Sequence, residues 1–236
     1  MKDIRVVEDP SRDAADLVAA TANRGGQIVL TGGATPRRAY ELLATMDLDW
    51  SGCTLWFSDE RCVPPLDERS NYGMVRDSLL DPLPEPRPAV RRIAGELGAE
   101  EAAAAYEREL RAAFGAGLPQ FDLVLLGLGP DGHCASLFPG AAALEERARL
   151  AVGVARPGLA PWVPRVTLTL PVLNAAREVV FLATGRDKAD AVARAFGDPP
   201  DRTAPAALVA PTAAGTLTVL LDRAAAKRLP AHIHGT

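Results

Sequence analysis

The sequence has no apolar stretch approaching the roughly 20 residues that a membrane-spanning helix needs. Its first ten residues, MKDIRVVEDP, carry acids where a signal peptide would hold an uninterrupted apolar segment, which argues against export. Basic charge is not in excess either: 26 Lys and Arg stand against 30 Asp and Glu, for a formal net charge of −4. A general nucleic-acid binder needs a basic surface to meet phosphates, so that class is set aside. An anionic substrate must therefore be drawn in by a local cluster of basic groups.

Soft ligands are equally scarce. Cys53, Cys62 and Cys134 are odd in number, widely spaced and form no C-x-x-C pair, as expected of reduced thiols in a cytoplasmic protein. The three histidines, His133, His232 and His234, fall into no standard zinc-ligand spacing, so no metal is expected. The H-I-H pair near the end reads as part of a mobile tail. Nor is there a linker, a repeat or a break in composition. With 48% hydrophobic and 24% charged residues, residues 1–236 read as one soluble globular domain.

What is present is a regular alternation of apolar runs and helical patterns. KDIRVVE, QIVLTGG, CTLWFSDE, FDLVLLGLG, LAVGVAR, PRVTLTL, EVVFLATG and TLTVLLD read as strands, and RRIAGE as a further short one. Between them lie helical stretches: Pro10 to about Ala22, ATPRRAYELLATM, a segment N-capped by Ser70 and running to about Leu80, AEEAAAAYERELRAAF, RDKADAVARAF and a closing AAAKRL. DPLPEPRPAV is a proline-rich loop. This order predicts an α/β fold of Rossmann-like type, with one mostly parallel twisted sheet and helices on both faces. In such folds ligands lie beyond the carboxyl ends of the strands, so the loops that follow the strands hold the candidate site.

In TGGATPRRAY, Gly32 and Gly33 allow backbone to approach a ligand. Thr35 is placed to N-cap a helix with Pro36 at its first position. A helix start of this kind suits a phosphate or carboxylate, and a plain capped turn reads almost equally well. It is not a P-loop, since the required Lys and spacing are absent. In FSDERCVP, three charges directly follow a buried strand. Arg61 can hold a phosphate through two parallel hydrogen bonds, and the alternative is an ion pair within the triplet. Asp67, Glu68 and Arg69 read as solvated loop charges. Asn71 either reaches a sugar hydroxyl or supports its own turn.

FDLVLLGLGPDGHCASLFPG places Gly127, Gly129 and Gly132 in the G-x-G-x-x-G spacing of dinucleotide sites. A true fingerprint needs a long helix after the third Gly and an acid at the end of the next strand. Pro139 and Gly140 cut such a helix short, and LAVGVARP ends in Arg156, so the nucleotide reading fails. What remains is His133 on a glycine-flanked loop, with Asp131 two residues earlier able to orient its ring. An unperturbed imidazole titrates near pH 6.5 and is mostly neutral at pH 7, ready to accept a proton. A His that merely bonds within its own loop is the plainer alternative, weakened because His133 is the only His before the tail.

Taken together, TGGATP, FSDERCVP with the following SN, LGLGPDGHCASLFPG, PRVTLTL and ATGRDKA resemble the 6-phosphogluconolactonases, in family order and over most of the chain. DGHCASLFPG is the most diagnostic piece. The glucosamine-6-phosphate deaminases share related glycine-Thr-Pro and G-x-G-x-D-G-H loops. In them, however, the acid-Glu pair is followed by Tyr, and the His loop runs on to a catalytic Glu; here Leu137 and Phe138 offer none. The resemblance implies hydrolysis of 6-phospho-D-glucono-1,5-lactone to 6-phosphogluconate without a cofactor. His133 would activate a water, and Asp59 would bind sugar hydroxyls or position that water. Gly33, Thr35, Arg61, Arg165 and Lys188 would recognise the phosphate. Arg165 could instead pair with a nearby acid, and Lys188 could be a helix-surface cation. Two positions depart from the family pattern. Ala34 stands where Ser is usual, and Cys134 where Thr is usual, the latter expected to make activity sensitive to thiol reagents. The implied partner is a small sugar-phosphate lactone, with the protein a monomer or weak homodimer. A deaminase or isomerase, or a non-catalytic sugar-phosphate-binding protein, are the alternatives.

Overall fold

A computed structural model describes residues 2–212 and 214–230; His232 and His234 lie outside the described residues. Seven strands form an all-parallel sheet in the order β1 (Lys2–Val6), β10 (Thr216–Leu221), β9 (Glu178–Ala183), β6 (Leu123–Gly127), β2 (Gln27–Leu30), β3 (Thr54–Phe57) and β5 (Ala89–Val90). The helices are α1 (Pro10–Ala22), α2 (Ala34–Leu43), α3 (Asn71–Val75), α4 (Ala99–Phe114), α5 (Leu170–Asn174) and α6 (Ala189–Phe196). They cover both faces of the sheet, which explains why β2, β6 and β9 are almost wholly apolar and buried. Most of the buried apolar side chains form one contiguous cluster.

Local chemistry sets the helix limits. Pro10 opens α1, and the Asp9 carboxylate accepts a hydrogen bond from Arg12 N–H at 3.3 Å. Glu100 and Glu101 occupy the first turn of α4 and Arg111 its last, matching the helix dipole, and Gly115 at φ +78° ends it. The Ser70 hydroxyl caps α3 through Gly73 N–H at 3.0 Å, and the helix passes into a π turn over Arg76–Leu80.

Three features differ from the sequence expectation. CTLWFSDE is not one strand: Ser58 breaks it, and Asp59–Arg61 forms β4 in a second sheet. That sheet has the order β4–β8–β7 and is antiparallel, so β7 (Ala151–Val154) and β8 (Arg165–Leu168) lie outside the main sheet. RRIAGE is not a strand, because pairing with β3 stops at Val90 and a 3-10 turn follows at Gly95–Leu97. The closing AAAKRL helix is a single 3-10 turn, Ala225–Arg228.

β2 neighbours β3 on one side and β6 on the other, and the chain leaves in opposite directions from these two strands. The crevice between their carboxyl ends is the topological switch point where ligands bind in such sheets. Two buried tyrosines fix the backbone there. Tyr40 Oη accepts from Thr31 N–H at 3.0 Å and donates to Thr31 C=O at 2.8 Å. Tyr106 Oη does the same to Phe57, at 2.9 and 3.0 Å. The loops after β2 and β3 thus start from anchored points.

Candidate active site

A cavity of about 450 Å³ opens at this switch point. Its walls are Thr31–Pro36 after β2, Asp59 and Arg61 of β4, Asn71, Gly127–Pro130 and His133 after β6, Arg165 of β8, and Thr184 and Lys188 after β9. Every candidate site residue read from the sequence lines it except Asp131, which lies directly behind His133.

The His loop is built around its glycines. Gly129 N–H donates to His133 C=O at 2.8 Å, and a Cβ at Gly129 would overlap His133 Nδ1. Gly132 takes φ +89° and packs against Ala204, leaving no space for a side chain. The spacing that resembles a dinucleotide fingerprint serves an imidazole instead. Asp131 Oδ1 lies 2.5 Å from His133 Nδ1 and also accepts from His133 N–H at 3.1 Å. Nδ1 is therefore assigned the proton, and Nε2 is left as the basic nitrogen. Burial acts to raise the Asp131 carboxyl, but the hydrogen bonds and charge of His133 outweigh it, so Asp131 sits below the usual carboxylate range. Arg194 of α6 donates to Asp131 C=O at 3.3 Å from behind. Ala135 adopts φ +48°, the left-handed region that a non-glycine residue enters at a cost of about 1–3 kcal/mol and that recurs at functional sites.

In the loop after β2, Thr35 does not cap the helix. Gly33, at φ +115°, is the N-cap residue of α2, with no side-chain cap. The Thr35 hydroxyl instead pairs with that of Thr184 at 2.9 Å, fastening the start of α2 to the end of β9. Ala34 and Thr35 therefore present first-turn N–H groups without a protein acceptor among the described residues. Gly32 must lack a side chain because a Cβ there would overlap Asn71 Oδ1.

The DER triplet splits. Glu60 points away from the cavity and accepts from the backbone N–H groups of Arg61, Asn71 and Tyr72 at 2.7 Å each and from the Ser70 hydroxyl at 2.9 Å. Its burial raises the carboxyl even against these donors. Of the three charges after the buried strand, Glu60 therefore does not face the cleft: it is a buried clasp for the start of α3. Asp59, 4% exposed, accepts from Ser136 Oγ at 2.7 Å, Ser58 Oγ at 3.1 Å and Asn71 Nδ2 at 3.2 Å. Asn71 Nδ2 also donates to Asp59 C=O at 2.9 Å. Asp67 and Arg69 form a local pair at 2.7 Å.

Arg61 and Arg165 are direct partners across the antiparallel β4–β8 ladder. Like charges in that position repel. Arg61 Nη1 donates to Arg69 C=O at 2.5 Å, and Arg165 Nη2 to Leu159 and Pro161 C=O at 3.0 and 3.3 Å. The Nε–H of each is buried and has no partner among the described residues. Arg165 makes no ion pair within 4 Å there, and burial holds its pKa below the usual arginine value, Asp59 opposing and Arg61 adding to the shift. Lys188 lies at the end of a 3-10 turn (Arg186–Lys188) leading into α6, 3.7 Å from Asp187.

The Phe138 ring ties the two halves together. It lies 4.6 Å from the His133 ring and 5.3 Å from Arg165 Cζ, centroid to atom, so base and guanidinium are at most about 10 Å apart. Ser136, Phe138, Thr184 and Arg194 were not singled out from the sequence. The first two sit inside the most diagnostic motif, but nothing in the letters shows which way a turn residue points.

The cleft combines paired arginines with a buttressed imidazole at the switch point of an α/β sheet. The chain belongs to the family of glucosamine-6-phosphate isomerases and 6-phosphogluconolactonases, which it matches over residues 7–219. It is 48% identical over 186 residues to the 6-phosphogluconolactonase of Homo sapiens, covering 78% of this chain and 71% of the human protein. With that of Streptomyces coelicolor it shares 40% identity over 250 residues, covering 99% and 94%. The structure of a 6-phosphogluconolactonase from Trypanosoma cruzi is 31% identical and superposes with a TM-score of 0.84 over 97% of each chain. A monomeric glucosamine-6-phosphate deaminase, 21% identical, shares the fold with a TM-score of 0.80 over 96% of this chain and 99% of its own.

Proposed function

We propose that this protein is a 6-phosphogluconolactonase that hydrolyses 6-phospho-D-glucono-1,5-lactone by general-base activation of water. The observation that carries the reading is the pairing of an oriented imidazole with two arginines, each with an Nε–H unpartnered among the described residues, in one cleft within the reach of a single hexose phosphate. His133 Nε2 takes a proton from water as the water oxygen bonds to C1. The tetrahedral oxyanion then collapses, the C1–ring-oxygen bond breaks, and the imidazolium returns its proton to the departing oxygen. Asp131 keeps the Nδ1–H tautomer and stabilises the imidazolium. A positioned base contributes about 10²–10⁴-fold, enough for an ester already activated by ring strain.

The phosphate is held by Arg61 and Arg165, with the free N–H groups at the start of α2, beside Gly32, Gly33 and Thr35, and with Lys188 supplying further positive potential. Each charge-assisted bond contributes about 1.5–3 kcal/mol, so two separate phosphorylated from plain lactone. Three protein donors already occupy Asp59, whose roughly four acceptor positions leave about one for a sugar hydroxyl. Leu137 and Phe138, buried and apolar, stand where the deaminases' His loop carries its catalytic Glu, which favours the hydrolase over amino-sugar chemistry. Among the described residues, no helix is long and apolar enough to cross a membrane. The free thiols of Cys53, Cys62 and Cys134 accord with a cytoplasmic setting.

The test is turnover of freshly generated 6-phosphogluconolactone, with spontaneous hydrolysis subtracted, by wild-type protein and by His133→Ala. Wild-type turnover lost in the variant is the expected result. Wild-type activity in the variant would remove His133 as the base, and ammonia release from glucosamine 6-phosphate would replace the reading with the deaminase one.

A further inference from the structure

Asp131 holds the edge of the His133 ring at one point, and a single edge contact acts as a hinge. The second contact is the face of Phe138, inclined at 39° to the imidazole. Phe138 is 2% exposed, which would ordinarily mark a core residue. Its ring, however, is shared between an imidazole and the Arg165 guanidinium, two polar groups of the cleft. The chain places it there deliberately. Ala135 turns left-handed, and Leu137 N–H closes back on Cys134 C=O at 3.0 Å, which returns Phe138 toward His133. From the other loop, Gly158 lies so close that a Cβ on it would stand 3.0 Å from Phe138 Cδ1.

We propose that Phe138 is a positioning residue for the reaction, locking the imidazole against rotation and linking it to the arginine that grips the anion. This role presupposes the lactone hydrolysis proposed for the site. Packing against the ring keeps Nδ1 on Asp131 and Nε2 in the cavity. The negative face of the aromatic ring also favours cations, namely Arg165 at rest and the imidazolium formed when His133 takes the water's proton. Because Arg165 and His133 touch the same ring, seating the phosphate settles the plate against which the base is aligned.

Phe138→Leu retains an apolar filler and removes the aromatic face. In the purified full-length variant, kcat for the lactone is expected to fall about tenfold or more while KM changes less than about threefold, the signature of a group acting in the transition state. Imidazole ¹⁵N spectra, with His133 assigned through His133→Gln, should show a mixture of Nδ1–H and Nε2–H tautomers where wild type shows Nδ1–H. Gly158→Ala, which pushes on the ring without deleting it, should shift both readouts in the same direction and decides the matter if Phe138→Leu does not fold. A purely space-filling Phe138 would lower the melting temperature and leave the tautomer and the kcat of folded enzyme unchanged; that result overturns the proposal. If wild-type protein turns over no lactone, the lactonase reading fails, and the tautomer comparison still decides whether Phe138 orients His133.

Discussion

Arg61 and Arg165 face each other across an antiparallel ladder, each with a buried Nε–H that no protein atom accepts among the described residues. Like charges in that position repel, and under the proposed reading a bound anion offsets the repulsion. Inorganic phosphate and 6-phosphogluconate should therefore raise the melting temperature of wild type, by up to about 2.7 kcal/mol of stability at a hundred times Kd. Arg61→Met should abolish most of that shift and raise KM for the lactone about 10–100-fold with a smaller change in kcat. A melting temperature insensitive to phosphate would show that the pair is not an anion site.

Gly129 and Gly127 make a matched control. A Cβ at Gly129 would overlap His133 Nδ1, whereas one at Gly127 would meet only Gly32 C=O, at 3.8 Å. Neither glycine takes a positive φ. Gly129→Ala should thus lower kcat about 10²-fold or more by displacing the ring, with circular dichroism unchanged, and Gly127→Ala should stay near wild type. Equal effects from the two would refute the steric role of Gly129.

The Asp131–His133 contact predicts a pH dependence of stability. Asp131 is held below its ordinary value in the folded chain, so the folded state binds its proton less readily than the unfolded one. The resulting stabilisation is complete above the unfolded carboxylate pKa of about 4 and disappears as pH falls through the lower folded value. The stability gap between wild type and Asp131→Asn, from urea unfolding, should close as pH falls from about 5 to below about 4. A gap that widened as pH fell below about 5 would reverse this assignment.

Cys134 corrects an expectation. Although it adjoins His133, it is 1% exposed, and burial, with Asp59 adding to the effect, raises its thiol well above the ordinary range. Thiol reagents should leave native activity intact and modify Cys134 only on unfolding. Cys62, half-buried with its thiol pushed up to about 11, is the more accessible site and still a slow one. Rapid inactivation traced to Cys134 by peptide mapping would contradict this.

The strands of the main sheet and the loops that follow them were legible because buried apolar runs and glycine-Pro punctuation are local signals. The second sheet was not. Whether PRVTLTL pairs with VVFLA or with SDER depends on contacts distant in sequence, and both choices satisfy the same alternation. That choice decides where Arg165 goes: as the first residue of an antiparallel strand, it lies beside the last residue of β4. The orientation of Glu60 was hidden for a similar reason, since an acid after a buried strand can face a cleft or clasp a neighbouring helix start, and only the position of Asn71 and Tyr72 settles it. Thr35 was misread as a cap because Gly33, needing no side chain, starts the helix two residues earlier.

The cleft spans two frameworks, with the cationic pair mounted on the small antiparallel sheet and the imidazole on the apron of the large parallel one. Ser136 and Asp59 bolt the two together at 2.7 Å, setting a rigid gauge between tail and head of whatever is bound. A phosphorylated lactone one carbon shorter would still seat its anion yet fall short of the imidazole, so such homologues should compete for the enzyme without being turned over.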